Sequence, residues 1–446
     1  MRKKPATGAF GQQHGTRRSR SLLRALSGLE APEVMDHQSD FPVVLSKATG
    51  ARVQDVDGNR YIDLGGFFGV AVAGHRNRAV VAALRKQAGR LLHGMGDVHP
   101  TDTKARFLSR LSRCLPASDY RAVLSLNGSD AVECALKFAA AATGRPGVIA
   151  FEGAYHGLTA GALEVTAHDM FRRPFAPTLQ GRGSFVPFPT DEGEARADRV
   201  LKTIREKARS GEKKSHPIGA IIVEPIQGRG GIRVPPPGFL ADLSDLAGRE
   251  GLVLIADEIY SGVGRTGTFL AGDHEGLVPD VVCLGKSLGG GMPLSACLLR
   301  QPVAEAVQGT PTEAVHTSTF LGHPLACAAG LAVLGEMERR DLYTAATRIG
   351  TSLMWRARSW KERFAGVRDV RGRGAMVGVE LADRDGGPGS DAAMAVCDRA
   401  LNQGVILLPA GGEGNVLTFT PPLVITGKDL DRALDTVEEG LKEVLD

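Results

Sequence analysis

The run VVCLGKSLGGGMPLSA, residues Val281–Ala296, joins a short apolar segment to a single lysine, Lys286, and then to small residues with no carboxylate among them. A glycine, a lysine and a serine after a β-branched segment suggest a phosphate loop. Such a loop needs a glycine five positions before Gly285, and Asp280 stands there. The lysine therefore needs another explanation, and its position directly after a predicted strand is the first clue.

Short apolar segments alternate with helical ones through the middle of the chain. The helical pattern is clearest in DAVECALKFAAAA, and the strand candidates are RAVLSL, GVIAF, IGAIIVE, GLVLIADE and DVVCLG. Strands that are apolar on both faces and alternate with helices predict an α/β fold with a parallel sheet covered by helices. Such sheets bind ligands at the carboxyl ends of their strands.

Two further regions predict a second α/β unit. The segment GARVQDVDGNRYIDL predicts a hairpin around the turn Asp57-Gly58-Asn59. Near the C-terminus, VRGRGAMVGVEL and GNVLTFTPPLVI predict strands, and DLDRALDTVEEGLKEVL predicts a closing helix. The charged region 191–216 predicts surface structure with one helix, ADRVLKTIREKARS.

The composition is that of a globular protein, since 43% of the 446 residues are hydrophobic and 23% are charged. No apolar run is long enough to cross a membrane, so no membrane partner is expected. The six cysteines lack CxxC spacing and predict buried thiols in a reducing compartment, which favours the cytoplasm. No metal site is expected.

The small net charge of +4 comes largely from basic residues before Glu30, the first acid in the chain. We expect residues 1–30 to form a basic, disordered or loosely docked extension. A basic arm can also bind nucleic acid, and an Arg- and Ser-rich segment without acids is typical of an organelle transit peptide. No zinc-finger, helix-turn-helix or RNP pattern supports a nucleic-acid partner.

Polar residues gather where the predicted strands end. Asn127, Gly128 and Ser129 stand between a strand and a helix, which suits one phosphate group or simply caps the helix. Asp257 ends an apolar strand, where a carboxylate needs a cation or a donor, and a structural hydrogen bond would also satisfy it. Lys286 in apolar surroundings can become a nucleophile toward carbonyls, although most lysines are solvated surface amines.

Together these features match the needs of one cofactor, pyridoxal 5′-phosphate. Its aldehyde takes an amine, its ring nitrogen takes a carboxylate that keeps it protonated, and its phosphate takes an anchor. Lys286, Asp257 and the Gly128-Ser129 turn would supply these three groups.

Motifs along the chain carry a family resemblance: LIADEIYSGVGRTG, CLGKSLGGGMPLSA, NGSDAVECALKFA, YHG, VEPIQGRGG and TSTFLGHPLACAAGLAVL. From about Gln54 onward the chain resembles the class III aminotransferases, fold type I pyridoxal-phosphate enzymes that include 4-aminobutyrate, ornithine and ω-amino acid aminotransferases. The resemblance implies a large cofactor-binding domain, residues 96–330. It also implies a smaller α/β domain formed by residues 31–95 and 331–446, and a homodimer or tetramer with shared active sites.

The resemblance also implies roles for the matching residues. Lys286 forms a Schiff base with the cofactor and shuttles a proton, and Asp257 pairs with the pyridine nitrogen. Gly128 and Ser129 bind the phosphate.

Four more residues are expected around the cofactor by the same resemblance. Tyr155 stacks on the ring face, and His156 and Glu224 lie close to the cofactor. Thr319 reaches the phosphate of the neighbouring subunit's cofactor.

Two departures from the family pattern bear on the substrate. Many members carry an arginine before PPL that receives a carboxylate and a glutamate after QG that pairs with it, but this chain has Thr418 and Arg229 there. The frequent glutamine after DEV is replaced by Tyr260, so the contact to the cofactor's ring oxygen is expected to differ.

The substrate pocket is expected near Phe67, Phe68 and Tyr155. We expect Arg229 to bind the carboxylate of a keto acid, with an outward-facing Arg229 paired to a surface acid as the alternative. Arg371 or Arg373 in VRGRGAM is the structural alternative for the carboxylate receptor.

The expected activity is the transfer of an amino group from an amine or amino acid to a keto acid in two half reactions. An aminomutase or racemase of the same fold is the first alternative. A nucleic-acid-binding protein that uses the basic arm is an alternative of a different class.

Overall fold

The computed structural model describes residues 17–31, 43–190, 194–210, 216–307 and 314–446. The strands are β1 (Leu45–Thr49), β2 (Arg52–Asp55), β3 (Arg60–Asp63), β4 (Tyr120–Ser125), β5 (Gly147–Phe151), β6 (Gly183–Val186), β7 (Ile218–Val223), β8 (Val253–Asp257), β9 (Val281–Leu284), β10 (Ser295–Arg300), β11 (Val367–Arg373), β12 (Met376–Leu381), β13 (Val405–Ile406), β14 (Leu408–Ala410) and β15 (Val416–Phe419).

The α-helices follow the same chain order. They are α1 (Arg17–Ser27), α2 (Arg78–Ala88), α3 (Asp102–Ser112), α4 (Gly128–Thr143), α5 (Ala160–Val165), α6 (Asp169–Arg172), α7 (Glu194–Ser210), α8 (Phe239–Arg249), α9 (Gln301–Ala304), α10 (Pro324–Arg339), α11 (Leu342–Arg363), α12 (Ser390–Asn402) and α13 (Gly427–Leu445). None of these helices has the length and apolar character needed to cross a membrane.

A seven-stranded sheet in the order β4-β10-β9-β8-β7-β5-β6 forms the large domain. Strands β5 to β9 pair in parallel, which confirms the predicted parallel core of an α/β fold. Strand β10 runs antiparallel to both β9 and β4, so the sheet is mixed at this edge. Neither β10 nor β6 was predicted from the sequence.

Alternate residues of the central strands pack on opposite faces of this sheet. On β7, Ala220 and Ile222 pack with the buried face of α4, while Ile221 and Val223 pack with α7 and α8. Both faces are therefore removed from water, and this explains why these strands read as continuous apolar runs.

The smaller domain combines both ends of the chain. Strand β3 pairs in parallel with β13, placing Ile62 beside Val405, and β11, β12, β15 and β14 form a second four-stranded sheet. The hairpin predicted around Asp57 is present as β2 and β3. The predicted boundary at residue 330 falls inside the continuous helix α10, so it does not separate two structural elements.

The basic N-terminal segment is only partly what the sequence suggested. Residues 1–16 lie outside the described part of the chain, and α1 is a helix docked on the hairpin where a disordered or loosely docked extension was expected. Its Ser19 amide donates to Asp57 at 3.1 Å, and Arg18 donates to the Val56 carbonyl. These contacts with the hairpin turn depend on the tertiary fold, so the sequence of the helix alone could not predict them.

The buried guanidinium of Arg265 links the two lobes. It donates to the carbonyls of Pro421 at 2.6 Å, Ala375 at 3.2 Å and Gly69 at 3.3 Å. Its charge is dispersed over carbonyl oxygens, and burial lowers its pKa to about 10. Arg265 thus fastens three segments that are distant in sequence beside the loop that follows β8.

Two helical glycines test how closely the elements pack. A methyl group on Gly350 in α11 would overlap the Gly374 carbonyl, whereas one on Gly248 in α8 would meet no atom within 4 Å. We expect Gly350→Ala to reduce the free energy of unfolding by about 1–3 kcal/mol, the usual cost of overpacking. Gly248→Ala should be neutral or slightly stabilising. Urea titrations of both variants measure the difference, and equal stabilities would contradict this packing.

Candidate active site

Three charged residues lie at the edge of the large sheet that is formed by the carboxyl ends of its parallel strands. Asp257 is the last residue of β8, Glu224 follows β7 directly, and Lys286 lies two residues after β9. Because β9, β8 and β7 are adjacent and parallel, their carboxyl ends meet at this edge. The sequence correctly predicted this placement for Lys286 and Asp257.

The Asp257 carboxylate is only 3% exposed, and each of its oxygens has one protein partner. Its Oδ2 lies 2.7 Å from Nδ1 of His156, and its Oδ1 accepts the Ile259 amide at 3.1 Å. The other ring nitrogen of His156, Nε2, is buried and has no hydrogen-bond partner among the described residues. This pair lies 101 residues apart in sequence, and the resemblance had implied only that His156 lies close to the cofactor.

Lys286 begins a short 3-10 helix, Lys286–Gly289, with a backbone φ of +40°. A left-handed conformation is costly for lysine and persists only where the surroundings fix it. The amine lies 4.2 Å from the centroid of the Tyr260 ring. Burial lowers the pKa of Lys286, whereas Asp257 and Glu224 oppose this shift and Arg229 adds to it.

Glu224 connects two loops to the carboxyl end of β7 through hydrogen bonds. Its carboxylate accepts the amides of Tyr155 and Gly228, both at 2.9 Å. Burial raises the pKa of Glu224 to about 7, with the neighbouring Asp257 adding to the effect. Glu224 therefore holds the Tyr155 loop at the cavity.

The first turn of α4 offers backbone donors. The Asn127 side chain accepts the Asp130 amide at 3.0 Å, while the Gly128 and Ser129 amides have no acceptor among the described residues. Ser129 Oγ accepts the Leu158 amide at 3.1 Å, so the loop after His156 abuts this turn. Free amides at a helix start favour an anion.

A cavity of about 400 Å³ lies at this edge of the sheet, between the two lobes. Its walls come from loops of both lobes, and Lys286 and Arg229 are the cations that line it. The lining residues are Gly65, Phe68, Val70, Tyr155, Glu224, Gly228, Arg229, Tyr260, Lys286, Leu408, Pro409, Ala410 and Thr418.

Some of the residues predicted from the sequence line the cavity, and others lie outside it. Phe68 lines the cavity and is 59% exposed, whereas Phe67 lies outside its lining and packs against His75 with the rings tilted and their centroids 4.3 Å apart. Arg229 is exposed and lies near the Tyr155 and Phe171 rings, and it forms no ion pair with any residue the structure describes. Thr319 is exposed and does not line this cavity.

The two alternative arginines are committed to structural contacts. Arg371 pairs with Glu380 at 2.6 Å and with Asp369 at 2.9 Å, and Arg373 pairs with Glu275 at 2.8 Å. Neither lines the cavity. Thr418 does line it, and its hydroxyl donates to the Leu408 carbonyl at 2.8 Å.

Sequence reasoning missed two parts of the wall. The edge strand β14 supplies Leu408, Pro409 and Ala410, and Val70 comes from the loop after β3. Their apolar side chains do not mark a binding site in the sequence. Their positions in the wall depend on how the two lobes meet. Within the described ranges, no cluster of side chains is suited to hold a metal ion.

The sequence profile of the family described as Aminotransferase class-III matches residues 34–441. The chain belongs to this family. An acetylornithine aminotransferase from Methanopyrus kandleri is 40% identical over 92% of this chain and 96% of its own length. An alanine/serine racemase from Pyrococcus horikoshii is 32% identical over 91% of this chain and 87% of its own length.

The fold of this class III aminotransferase is also similar to that of solved transaminase structures. An amine transaminase from an uncultivated Pseudomonas species, crystallised in its PLP-bound form, has a TM-score of 0.85 and 29% identity. The match covers 93% of this chain and 98% of that chain. The family, the fold class and the enzyme class expected from the motifs are confirmed.

Proposed function

We propose that this class III aminotransferase binds pyridoxal 5′-phosphate at the edge of the large sheet and transfers amino groups to a keto acid. The observation that carries the proposal is the meeting of the Lys286 amine and the buried Asp257 carboxylate at neighbouring strand ends. When bound, pyridoxal phosphate supplies an aldehyde that exchanges amino groups and a ring that withdraws electrons.

The residues present fit that cofactor. Lys286 would hold the aldehyde carbon, Asp257 the protonated ring nitrogen, and the free amides of Gly128 and Ser129 the phosphate. The unpartnered, buried Nε2 of His156 adds a polar atom beside Asp257 that the protein itself leaves unsatisfied.

Each polar side chain has a task that follows from its surroundings. Lys286 accepts and returns a proton at its Nζ atom, because burial makes loss of the ammonium proton easier. His156 orients Asp257 through the 2.7 Å contact, and Glu224 holds the Tyr155 ring at the cavity wall. The wall around them includes apolar side chains such as Val70 and Leu408.

Arg229 is our candidate for the acceptor's carboxylate. It shares the cavity lining with Lys286 and, with no ion pair among the described residues, offers a planar guanidinium for two parallel hydrogen bonds. Thr418 has no charge, and Arg371 and Arg373 are engaged by carboxylates elsewhere. A small keto acid with an apolar side chain suits the remaining walls, which include Phe68 and Leu408.

We also propose that the enzyme is a homodimer with active sites at the interface. Large apolar side chains are exposed on two adjoining segments, Leu91, Leu92, Met95 and Val98 on one and Phe320 on the other. The Asp97 carboxylate accepts from Thr317 at 2.7 Å, which joins these segments. An exposed patch of this kind, with Thr319 in it, fits a second copy of the chain.

A cytoplasmic location is part of the same proposal. All six cysteines are unpaired, and five of them are buried. Free thiols are typical of a reducing compartment.

Removing the Lys286 amine tests the catalytic assignment. We expect Lys286→Ala to lose turnover by at least about a thousandfold, because both the covalent attachment and the proton carrier disappear. Cofactor should still bind through the phosphate and ring contacts, which absorbance after dialysis measures. Lys207→Ala on α7, away from the cavity, is the control. Near-normal turnover by Lys286→Ala would refute the assignment.

The Arg229 assignment predicts a selective loss. Arg229→Ala should lower kcat/KM for the half reaction with a keto acid roughly ten- to a hundredfold, the effect of losing a charge-assisted pair. The half reaction with an uncharged amine should change much less, because such an amine has no carboxylate, and both half reactions of Arg249→Ala, an exposed control on α8, should be unchanged. Single-turnover kinetics separate the two half reactions, and equal losses in both would contradict the carboxylate role.

The interface assignment predicts complementation between damaged subunits. Thr319→Ala should weaken cofactor retention, and mixed dimers with Lys286→Ala should regain activity. One site of the mixed dimer would carry both lesions and the other neither. Differently tagged subunits isolate the mixed species, and no recovery in confirmed mixed dimers would place Thr319 in its own subunit's site.

A further inference from the structure

The ring of Tyr260 stands where the family motif frequently has a glutamine, and its face lies next to the Lys286 amine. The Lys286 Nζ atom lies over this ring, 4.2 Å from its centroid. A cation at this distance is attracted by the negative face of the ring, more strongly where water is excluded. The contact therefore joins a departure from the family motif to the lysine in the cavity.

Three separate segments fix the Tyr260 ring in place. A methyl group on Gly69 or on Gly228 would collide with it, so the ring lies between two glycine backbones from different lobes. Its hydroxyl lies 3.2 Å from Oγ1 of Thr420. A ring held from three directions cannot rotate away from the amine without moving a loop.

The hydroxyl group of Tyr260 is used for this anchoring. Thr420 donates its single hydroxyl hydrogen to the Gly65 carbonyl at 2.8 Å. The contact between the two hydroxyls must therefore be donated by Tyr260. Burial raises the pKa of the phenol, so it stays protonated and keeps this bond. The ring face is therefore the part of Tyr260 that contacts the Lys286 amine.

Charged groups around the amine come from several elements. Asp257 at the end of β8 and Glu224 after β7 favour the ammonium form, whereas Arg229 and burial disfavour it. Asp257 is already engaged by His156 and the Ile259 amide, and Glu224 by two amides. The described contacts of both carboxylates are thus to other groups, and the ring face is the surface on which the amine rests.

We propose that Tyr260 is a positioning residue for Lys286, and that its ring face forms a cation–π seat that holds the charged amine in the cavity. The seat acts whenever the amine is free of covalent attachment, and it keeps Nζ directed at the place where substrate reacts. The role of this cation–π seat in catalysis rests on the proposed function, whereas the contact between the ring and the amine does not depend on it.

The test measures the protonation of Lys286 in the full-length chain freed of cofactor. Trinitrobenzenesulfonate arylates only neutral amines, and peptide mass spectrometry follows Lys286 as a function of pH. We expect the titration midpoint to fall by about one pH unit in Tyr260→Leu, with roughly tenfold faster arylation at neutral pH. Tyr260→Phe keeps the ring face and should match the wild type, as should Thr420→Val, which removes the partner of the Tyr260 hydroxyl together with the bond to the Gly65 carbonyl.

Fluorinated phenylalanines at position 260 provide the sharper test. One, two and three fluorine atoms progressively weaken the negative ring face with little change in shape, so the midpoint should fall stepwise from that of Tyr260→Phe. This series stands even if Tyr260→Leu fails to fold. A flat series, or a Tyr260→Phe shift as large as that of Tyr260→Leu, would overturn the seat.

The two proposals fail in different ways. If Lys286→Ala kept its turnover, the catalytic assignment would fall, yet the titration of Lys286 would still report whether the ring holds the amine. If the fluorinated series were flat while Lys286→Ala lost turnover, only the seat would fall. In the loaded enzyme, the pH profile of the amine half reaction should shift in the same order as the fluorinated series.

Discussion

The contact between Asp257 and His156 is the interaction on which the geometry of the site depends. A carboxylate at the end of a buried strand needs a donor, and the 2.7 Å contact to His156 provides one. The His156 amide in turn donates to Thr166, whose hydroxyl donates to the Gly157 carbonyl. Because the next residue, Leu158, reaches Ser129, one polar chain connects the sheet edge to the start of α4.

The fold could be predicted from the sequence where local pattern and burial agree. Strands β7, β8 and β9 are apolar on both faces, so their composition alone marked them. Strand β10 begins Ser295-Ala296-Cys297, which has weak strand propensity, and pairing with β9 and β4 makes it a strand. Helix α1 was missed for a similar reason, since the hairpin turn holds it.

The placement of the candidate site residues was predictable only where it follows from strand ends. The positions of Lys286 and Asp257 were predicted because a charge next to an apolar strand is costly without a partner. The position of the Tyr260 ring depends on Gly69, Gly228 and Thr420, which are far apart in sequence and meet only when the lobes close. The pairing of Arg371 with Glu380 likewise depends on the register of β11 and β12.

The parallel pairing of β3 with β13 sets an order of events during synthesis. About 340 residues separate Ile62 from its partner Val405, and at typical elongation rates the ribosome needs roughly 20–70 s to make them. Throughout that time one edge of β3 lacks its native neighbour, which leaves an unpaired strand edge near the start of a growing chain. The smaller domain, and with it the cavity walls at Gly65 and Leu408, is completed only after nearly the whole polypeptide has emerged.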